Sequence, residues 1–293
     1  MTSGSGSPVP AGGDATAVGA LEAHLRRRRS EGRKLLIPYV TAGFADDWVT
    51  VVQAVAEAGA DAVEIGIPFS DPMIDGPTIQ AASLQALQRG TTPSAVVAAL
   101  AQADLPVPVA VMTYYNLVFR AGDVRFAAEL AGAGVAGAII PDLPLEEAGP
   151  WCAAADAAGV ETVLLVAPST PDERARALCR RARGFVYAVG LMGVTGERAT
   201  LADTAGDVAR RLRPLTDKPV CVGIGVSTAE QAAEVCRHAD GVVVGSALVR
   251  RLLQGAGAHG AARFVAELRA GVDAAGDPAA GEPARGGPSA AQR

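Results

Sequence analysis

Glu64 and Asp75 are the residues of this sequence whose types and spacing first suggest chemistry. Glu64 lies inside the apolar run Val63-Glu64-Ile65-Gly66-Ile67, and Asp75 follows eleven positions later in Met73-Ile74-Asp75-Gly76-Pro77. A charged side chain in a strand covered on both faces is costly unless it is paired or used. A loop crowded with proline and glycine is stiff enough to hold a second carboxylate near the first. Two carboxylates so placed can carry a proton to and from a substrate. The competing readings are a structural ion pair for Glu64 and a helix cap for Asp75.

A second kind of chemistry is signalled by glycine. Gly193-Val194-Thr195-Gly196, Gly223-Ile224-Gly225-Val226-Ser227 and Gly245-Ser246-Ala247-Leu248 each follow a β-rich run. Glycine lets the backbone approach an anion, and N–H groups at a helix start then point at it. One such turn is weak support, because tight turns use the same residues; three at successive strand ends indicate a phosphate cradle. Other residue types narrow the chemistry. The only lysines, Lys34 and Lys218, precede their strands and face the wrong end for an imine. The histidines, His24, His238 and His259, fall in helical or flexible stretches, away from the strand ends where a metal ligand would sit. Neither a metal nor an imine is expected, and carboxylate acid–base catalysis remains.

The elements that must position these groups alternate along the chain. Strands are predicted at 35–41, 62–67, 107–113, 137–141, 161–167, 184–189, 219–223 and 241–245. Helices are predicted at 46–58, 77–89, 123–133, 145–158, 171–182, 205–213, 228–238 and 246–254, with an extra helix before the first strand. Asp46, Asp123 and Ser227 are candidate helix caps, and Pro77 and Pro171 suit early helical positions. Alternation of this kind means repeated βαβ units and a parallel sheet. An open doubly wound sheet would alternate in the same way. Eight strands, a length near the roughly 250 residues usual for a closed barrel, and no GxGxxG after the first strand favour a single (β/α)8 TIM barrel.

Composition agrees. Hydrophobic residues make up 49% of the chain and aromatics only 4%, so Ala, Val, Leu and Ile must fill the core, as in covered parallel strands. A net charge of -5 speaks against nucleic acid as a partner. The run Arg26-Arg27-Arg28-Arg29 reads as the solvated end of the first helix. Cys152, Cys179, Cys221 and Cys236 form no CxxC pair and suit buried thiols in a reducing cytoplasm. Without an apolar leader or a span long enough for a bilayer, a cytoplasmic protein that does not enter the membrane is expected. Residues 1–15 and 271–293 carry few bulky apolar side chains and are expected to be flexible tails around a barrel domain at 16–270.

At these motifs the chain resembles the alpha subunit of tryptophan synthase. The carriers are Glu64-Ile-Gly-Ile-Pro-Phe-Ser-Asp-Pro-x-x-Asp75-Gly-Pro, Pro141-Asp142-Leu143-Pro144-Leu145-Glu146, Gly193-Val194-Thr195-Gly196, Gly223-Ile224-Gly225 and Gly245-Ser246. The resemblance implies a lyase of tryptophan biosynthesis that cleaves indole-3-glycerol phosphate to indole and glyceraldehyde 3-phosphate without a cofactor. It implies that Glu64 is the acid–base, that Asp75 accepts the indole N–H, and that Tyr187 lies beside Glu64. Tyr39, Met112 and Ile139 would touch the ring; Gly196, Ile224, Gly225, Gly245 and Ser246 would hold the phosphate; Thr195 would ride on a loop that closes over the substrate. Tyr39, Met112 and Ile139 read equally well as barrel filling. A PLP-dependent beta subunit, in an alpha2beta2 heterotetramer, is the implied partner, docked near Asp71, Asn116 and Pro144. A freestanding indole-releasing lyase and a catalytically weak activating subunit are the alternatives. Gly190-Leu191-Met192, Met73-Ile74 and Ile224 depart from common family patterns and bear on loop closure and on signalling between subunits.

Overall fold

The structure, a computed structural model, describes residues 17–190, 201–223 and 225–276. Among them eight parallel strands close on themselves in sequence order, with β1 hydrogen-bonded to both β2 and β8. The strands are β1 (Leu35–Thr41), β2 (Val63–Gly66), β3 (Val109–Met112), β4 (Gly137–Ile139), β5 (Glu161–Val166), β6 (Val186–Val189), β7 (Val220–Gly223) and β8 (Gly241–Val244). The helices are α1 (Ala20–Ser30), α2 (Trp48–Glu57), α3 (Pro77–Gln88), α4 (Pro93–Gln102), α5 (Tyr115–Ala121), α6 (Asp123–Gly132), α7 (Gly149–Ala158), α8 (Asp172–Arg181), α9 (Leu201–Leu212), α10 (Ala229–Cys236), α11 (Ser246–Leu253) and α12 (Gly257–Gly276). The expected TIM barrel is the observed fold. None of these helices is long and apolar enough to cross a membrane.

Strand alternation divides the core into two layers. Leu36, Val40, Val63, Ile65, Val111, Val186, Val222 and Val242 face outward and pack under the helices. Leu35, Ile37, Ala62, Ala110, Ile139, Val163, Phe185, Cys221 and Val243 fill the barrel axis. Glu64 shares the inward phase of β2 with Ala62 and Gly66, and it pairs in register with Tyr39 on β1 and Ala110 on β3. Its place near the carboxyl end of the axis follows from that phase.

The opposite mouth is closed by α1. Leu21 and Leu25 are fully buried against the axial cluster. The carboxylate of Glu161 accepts from the backbone N–H of Leu21 at 2.6 Å and of Glu22 at 3.1 Å. A negative charge there satisfies orphan amides and complements the helix dipole. The arginine run, expected to be solvated, instead forms a clasp. Arg26 pairs with Glu22 and Asp217, Arg28 with Asp61, and Arg29 with Asp240. Carboxylates at the starts of the strands lie within reach of the helix that covers them.

Several local expectations are corrected. Asp46, Asp123 and Ser227 do not cap. Asp47 precedes α2 without a side-chain cap bond, and Asp46 pairs with Arg89. Gly122, at φ 88°, takes the position before α6 and leaves Asp123 inside the first turn. Thr228 caps α10 by accepting from Gln231 N. The expected 145–158 helix starts only at Gly149, because residues ahead of it make turns. α4 and α5 are additional helices, and Thr92 caps α4 by accepting from Ala95 N at 3.2 Å. α12 continues to Gly276, past the composition boundary at 270, because Val272 extends the buried stripe of Phe264, Val265 and Leu268.

Asp61, just before β2, is the hub of the clasp. It accepts from Leu36 N at 2.9 Å, Arg33 Nε at 2.7 Å, Arg28 Nε at 3.2 Å and Arg269 Nη1 at 2.9 Å. Its side chain is fully buried. Removing one member of a buried charge network strands the others, at a cost of about 3–5 kcal/mol. Asp61→Ala is therefore expected to lower unfolding free energy by that amount in urea titrations; a loss below about 1 kcal/mol would show the clasp to be dispensable.

Candidate active site

Glu64 is 1% exposed, and its Oε2 has no hydrogen-bond partner among the described residues. Buried polar atoms are nearly always satisfied, so an orphaned carboxyl oxygen at a strand end marks a place prepared for something else. Burial pushes the Glu64 carboxyl up to about 8, and the negative charge of Asp75 adds to the rise. Glu64 is thus mostly protonated at neutral pH. The structural ion pair considered for it is not formed among the described residues.

Asp75 reaches this region from the loop between β2 and α3. Burial raises its pKa, and a hydrogen bond from Tyr114 works against that rise. The Tyr114 hydroxyl donates to Asp75 Oδ2 at 3.0 Å and accepts from Ile74 N at 3.1 Å. The Tyr114 ring stacks on Phe69, with centroids 4.9 Å apart. The loop is secured again by Gln80, whose Nε2 donates to the Asp75 carbonyl at 2.9 Å. Asp75 is not a cap of α3: Gly76 takes that position and Pro77 begins the helix. Tyr114 is a site residue the sequence reading does not name. It stands two residues past β3, where the strand-end rule could have found it.

Two further tyrosines enclose Glu64. Tyr39 and Tyr187 both have pKa values raised by burial, with Glu64 among the neighbouring charges, so both hydroxyls stay neutral. Glycine makes room for each ring. A Cβ at Gly66 would collide with the Tyr39 hydroxyl, and one at Gly223 would meet the Tyr187 hydroxyl at 2.6 Å. Met112 on β3 is the register partner of Gly66, and Ile139 on β4 is that of Met112; both line the same interior.

The glycine turns gather beside these groups. β6, β7 and β8 are neighbours, and Gly190 N donates to Gly223 O at 3.0 Å. Gly225 adopts φ 76°, a left-handed conformation that a side chain would strain. Gly245 precedes α11, and Ser246 opens it, so the amino end of that helix lies at the same rim. Thr195, Gly196 and Ile224 lie outside the described residues. Lys34 and Lys218 precede β1 and β7, at the opposite rim.

A family model described as tryptophan synthase alpha chain matches residues 25–274. The chain belongs to this family. It is 47% identical to the tryptophan synthase alpha chain of Thermobifida fusca over 265 residues, covering 87% of this chain and 98% of that one. Similarity to the Streptomyces coelicolor alpha chain is 48% over 256 residues, 85% of this chain and 94% of that one. Among solved structures, a tryptophan synthase chain from Mycobacterium tuberculosis superposes with a TM-score of 0.80 at 40% identity, covering 87% of this chain and 98% of that chain. An alpha chain from Legionella pneumophila gives 0.80 at 29% identity, covering 88% and 98%.

The Tyr114 hydroxyl both steadies Ile74 and holds down the pKa of Asp75. Tyr114→Phe is expected to raise the Asp75 pKa further and to cost about 0.5–1.5 kcal/mol of stability. Carbon-13 NMR titration with parallel urea unfolding checks both. An Asp75 titration indistinguishable from the parent's would show the hydroxyl to be idle.

Proposed function

We propose that this chain is a lyase that cleaves indole-3-glycerol phosphate to indole and glyceraldehyde 3-phosphate, with Glu64 as the acid–base group. The reading is carried by one observation: a protonated, inward-facing carboxyl with an oxygen that has no partner among the described residues, beside a second carboxyl. Glu64 delivers its proton to indole C3, which makes the ring a leaving group. As the carbon–carbon bond breaks, the resulting carboxylate takes the proton of the glycerol hydroxyl at the adjacent carbon, and the aldehyde forms. The acid is thereby regenerated, and no net proton is consumed. Asp75 accepts the indole N–H and offsets the positive charge that protonation places on the ring. The neutral hydroxyls of Tyr39 and Tyr187 orient the reacting groups, with Met112 and Ile139 against the ring.

The phosphate is assigned to Gly225, Gly245 and Ser246 at the starts of the segments after β7 and β8; the family resemblance adds Thr195, Gly196 and Ile224, which lie outside the described residues. Backbone N–H groups at the start of α11 favour such an anion.

The partner in this reading is a PLP-dependent beta subunit, in an alpha2beta2 assembly that receives the indole. Its docking face is the carboxyl-end rim. There Met73, Ile74 and Phe119 are exposed apolar side chains, and Asp71, Asn116 and Pro144 are exposed as well. The Asp142 carboxylate accepts from Tyr115 N at 2.9 Å and ties two of these loops together. Four buried, unpaired thiols fit a reducing cytoplasm.

Glu64→Gln keeps the shape and loses the proton. It is expected to lower indole release by about 10²–10⁴-fold with an unchanged unfolding midpoint at pH 5. Parent activity is expected to survive EDTA, and borohydride added with substrate. An assay with and without a beta subunit separates a dependent subunit from an independent lyase. Near-normal turnover by Glu64→Gln would sink the assignment.

A further inference from the structure

The amino-end mouth of the barrel, opposite Glu64, holds a cavity of about 340 Å³ where α1, the turn into β1 and the segment leading to β7 meet. Its size falls near the lower end of small-molecule pockets, which run about 300–1,000 Å³. The charged side chains on its wall are Arg29, Arg33, Lys34, Arg213, Lys218 and Asp240. Five cations face one carboxylate, in a chain whose net charge is -5. Both lysines of the chain are among them.

The wall has charges already matched and charges left over. Arg33 is committed to Asp61 and to the Gly59 carbonyl. Arg29 donates to Asp240 Oδ2 at 3.1 Å and to the Asp217 carbonyl, and Asp240 also accepts from Val220 N at 2.9 Å. Asp240 is therefore spent. Lys34 has the Ala239 carbonyl at 2.9 Å, and Lys218 has the Cys179 carbonyl at 3.1 Å. A single carbonyl uses one of the three donors of an ammonium and none of its charge. Arg213, exposed on a short 3-10 turn (Arg213–Leu215), has no ion pair among the described residues. Among the described residues Lys34, Lys218 and Arg213 thus make no ion pair, and the one further carboxylate near Lys218, that of Asp217, is paired with Arg26. Like charges gathered in this way repel each other unless an anion is shared among them.

We propose that this mouth is a second anion site, distinct from the substrate cradle, for a small diphosphate or oligophosphate. A singly charged anion would leave the three cations undercompensated, whereas a diphosphate offers matching charge and enough oxygens for two ammonium groups and a guanidinium fork. Bound there, the ligand bridges Lys34 at the start of β1 to Arg213 and Lys218 ahead of β7. It thereby fastens the rim that α1 covers and raises the stability of the folded chain.

The test is calorimetric titration of the whole chain with pyrophosphate at physiological salt, with thermal unfolding alongside. Saturable binding and a rise in Tm are expected from the parent. Arg213→Glu, at an exposed position that leaves the fold intact, is expected to weaken binding at least tenfold, and Lys218→Gln to weaken it in the same direction. Arg125→Glu, the same charge change at an exposed position on α6, is expected to leave it unaltered. Ser246→Glu closes the substrate cradle by charge and is expected to retain pyrophosphate binding. Absence of saturable binding, equal loss in Arg125→Glu and Arg213→Glu, or loss only in Ser246→Glu would each overturn the proposal.

Discussion

A carboxyl group held in the dry axis of a barrel, next to a second carboxyl, is the constraint around which the rest of this chain is arranged. Ionising Glu64 would place charge where water does not reach and beside the charge of Asp75. Burial and repulsion act in the same direction and move its pKa from 4.5 to about 8. The folded state therefore keeps a proton that the unfolded chain releases between those values. By linkage, this group's contribution becomes more unfavourable as pH rises from about 4.5 to about 8, and it is constant above. That cost is borne at the carboxyl rim, where the glycines at 66 and 223 admit two tyrosine rings around the acid.

The opposite rim carries compensating order. Asp61, Asp240 and Glu161 stand at or just before strand starts, and each meets α1 or the arginines that α1 supplies. Asp61 also reaches Arg269 on α12, so the first and last helices are tied to one buried carboxylate. The barrel thus divides its charged groups by end. At the amino end Asp61, Asp240 and Glu161 are hydrogen-bonded to arginines or helix amides, and they hold elements together. At the carboxyl end Glu64 has no ion pair among the described residues and keeps its proton at neutral pH. Such a division is the usual one for this architecture, whose reactive groups collect where the strands end.

Much of this was legible from residues alone, and the physical reasons differ. Strand positions follow from apolar runs with valine and isoleucine, and β1 was located to the residue because all seven of its side chains are buried. Glu64 was legible because a charge is improbable in such a run. Helix starts were read less well, since a cap depends on backbone angles: Gly122 displaces Asp123, and Thr228 rather than Ser227 accepts the amide. The pairing of the arginine run was hidden because Asp61 and Asp240 are remote in sequence. Tyr114 was missed for a related reason. Its value lies in a hydrogen bond to a loop 39 residues away, which periodicity does not encode.

The account's central claim is the ionisation state of Glu64, and isotope-edited infrared spectroscopy of its carboxyl reads that directly. The protonated carbonyl stretch assigned through Glu64→Gln should persist at pH 7 and disappear with a midpoint near 8 in the parent. In Asp75→Asn, which removes the neighbouring negative charge, the midpoint should move down. A Glu64 carboxyl already ionised at pH 6, or a midpoint indifferent to Asp75, would contradict the account.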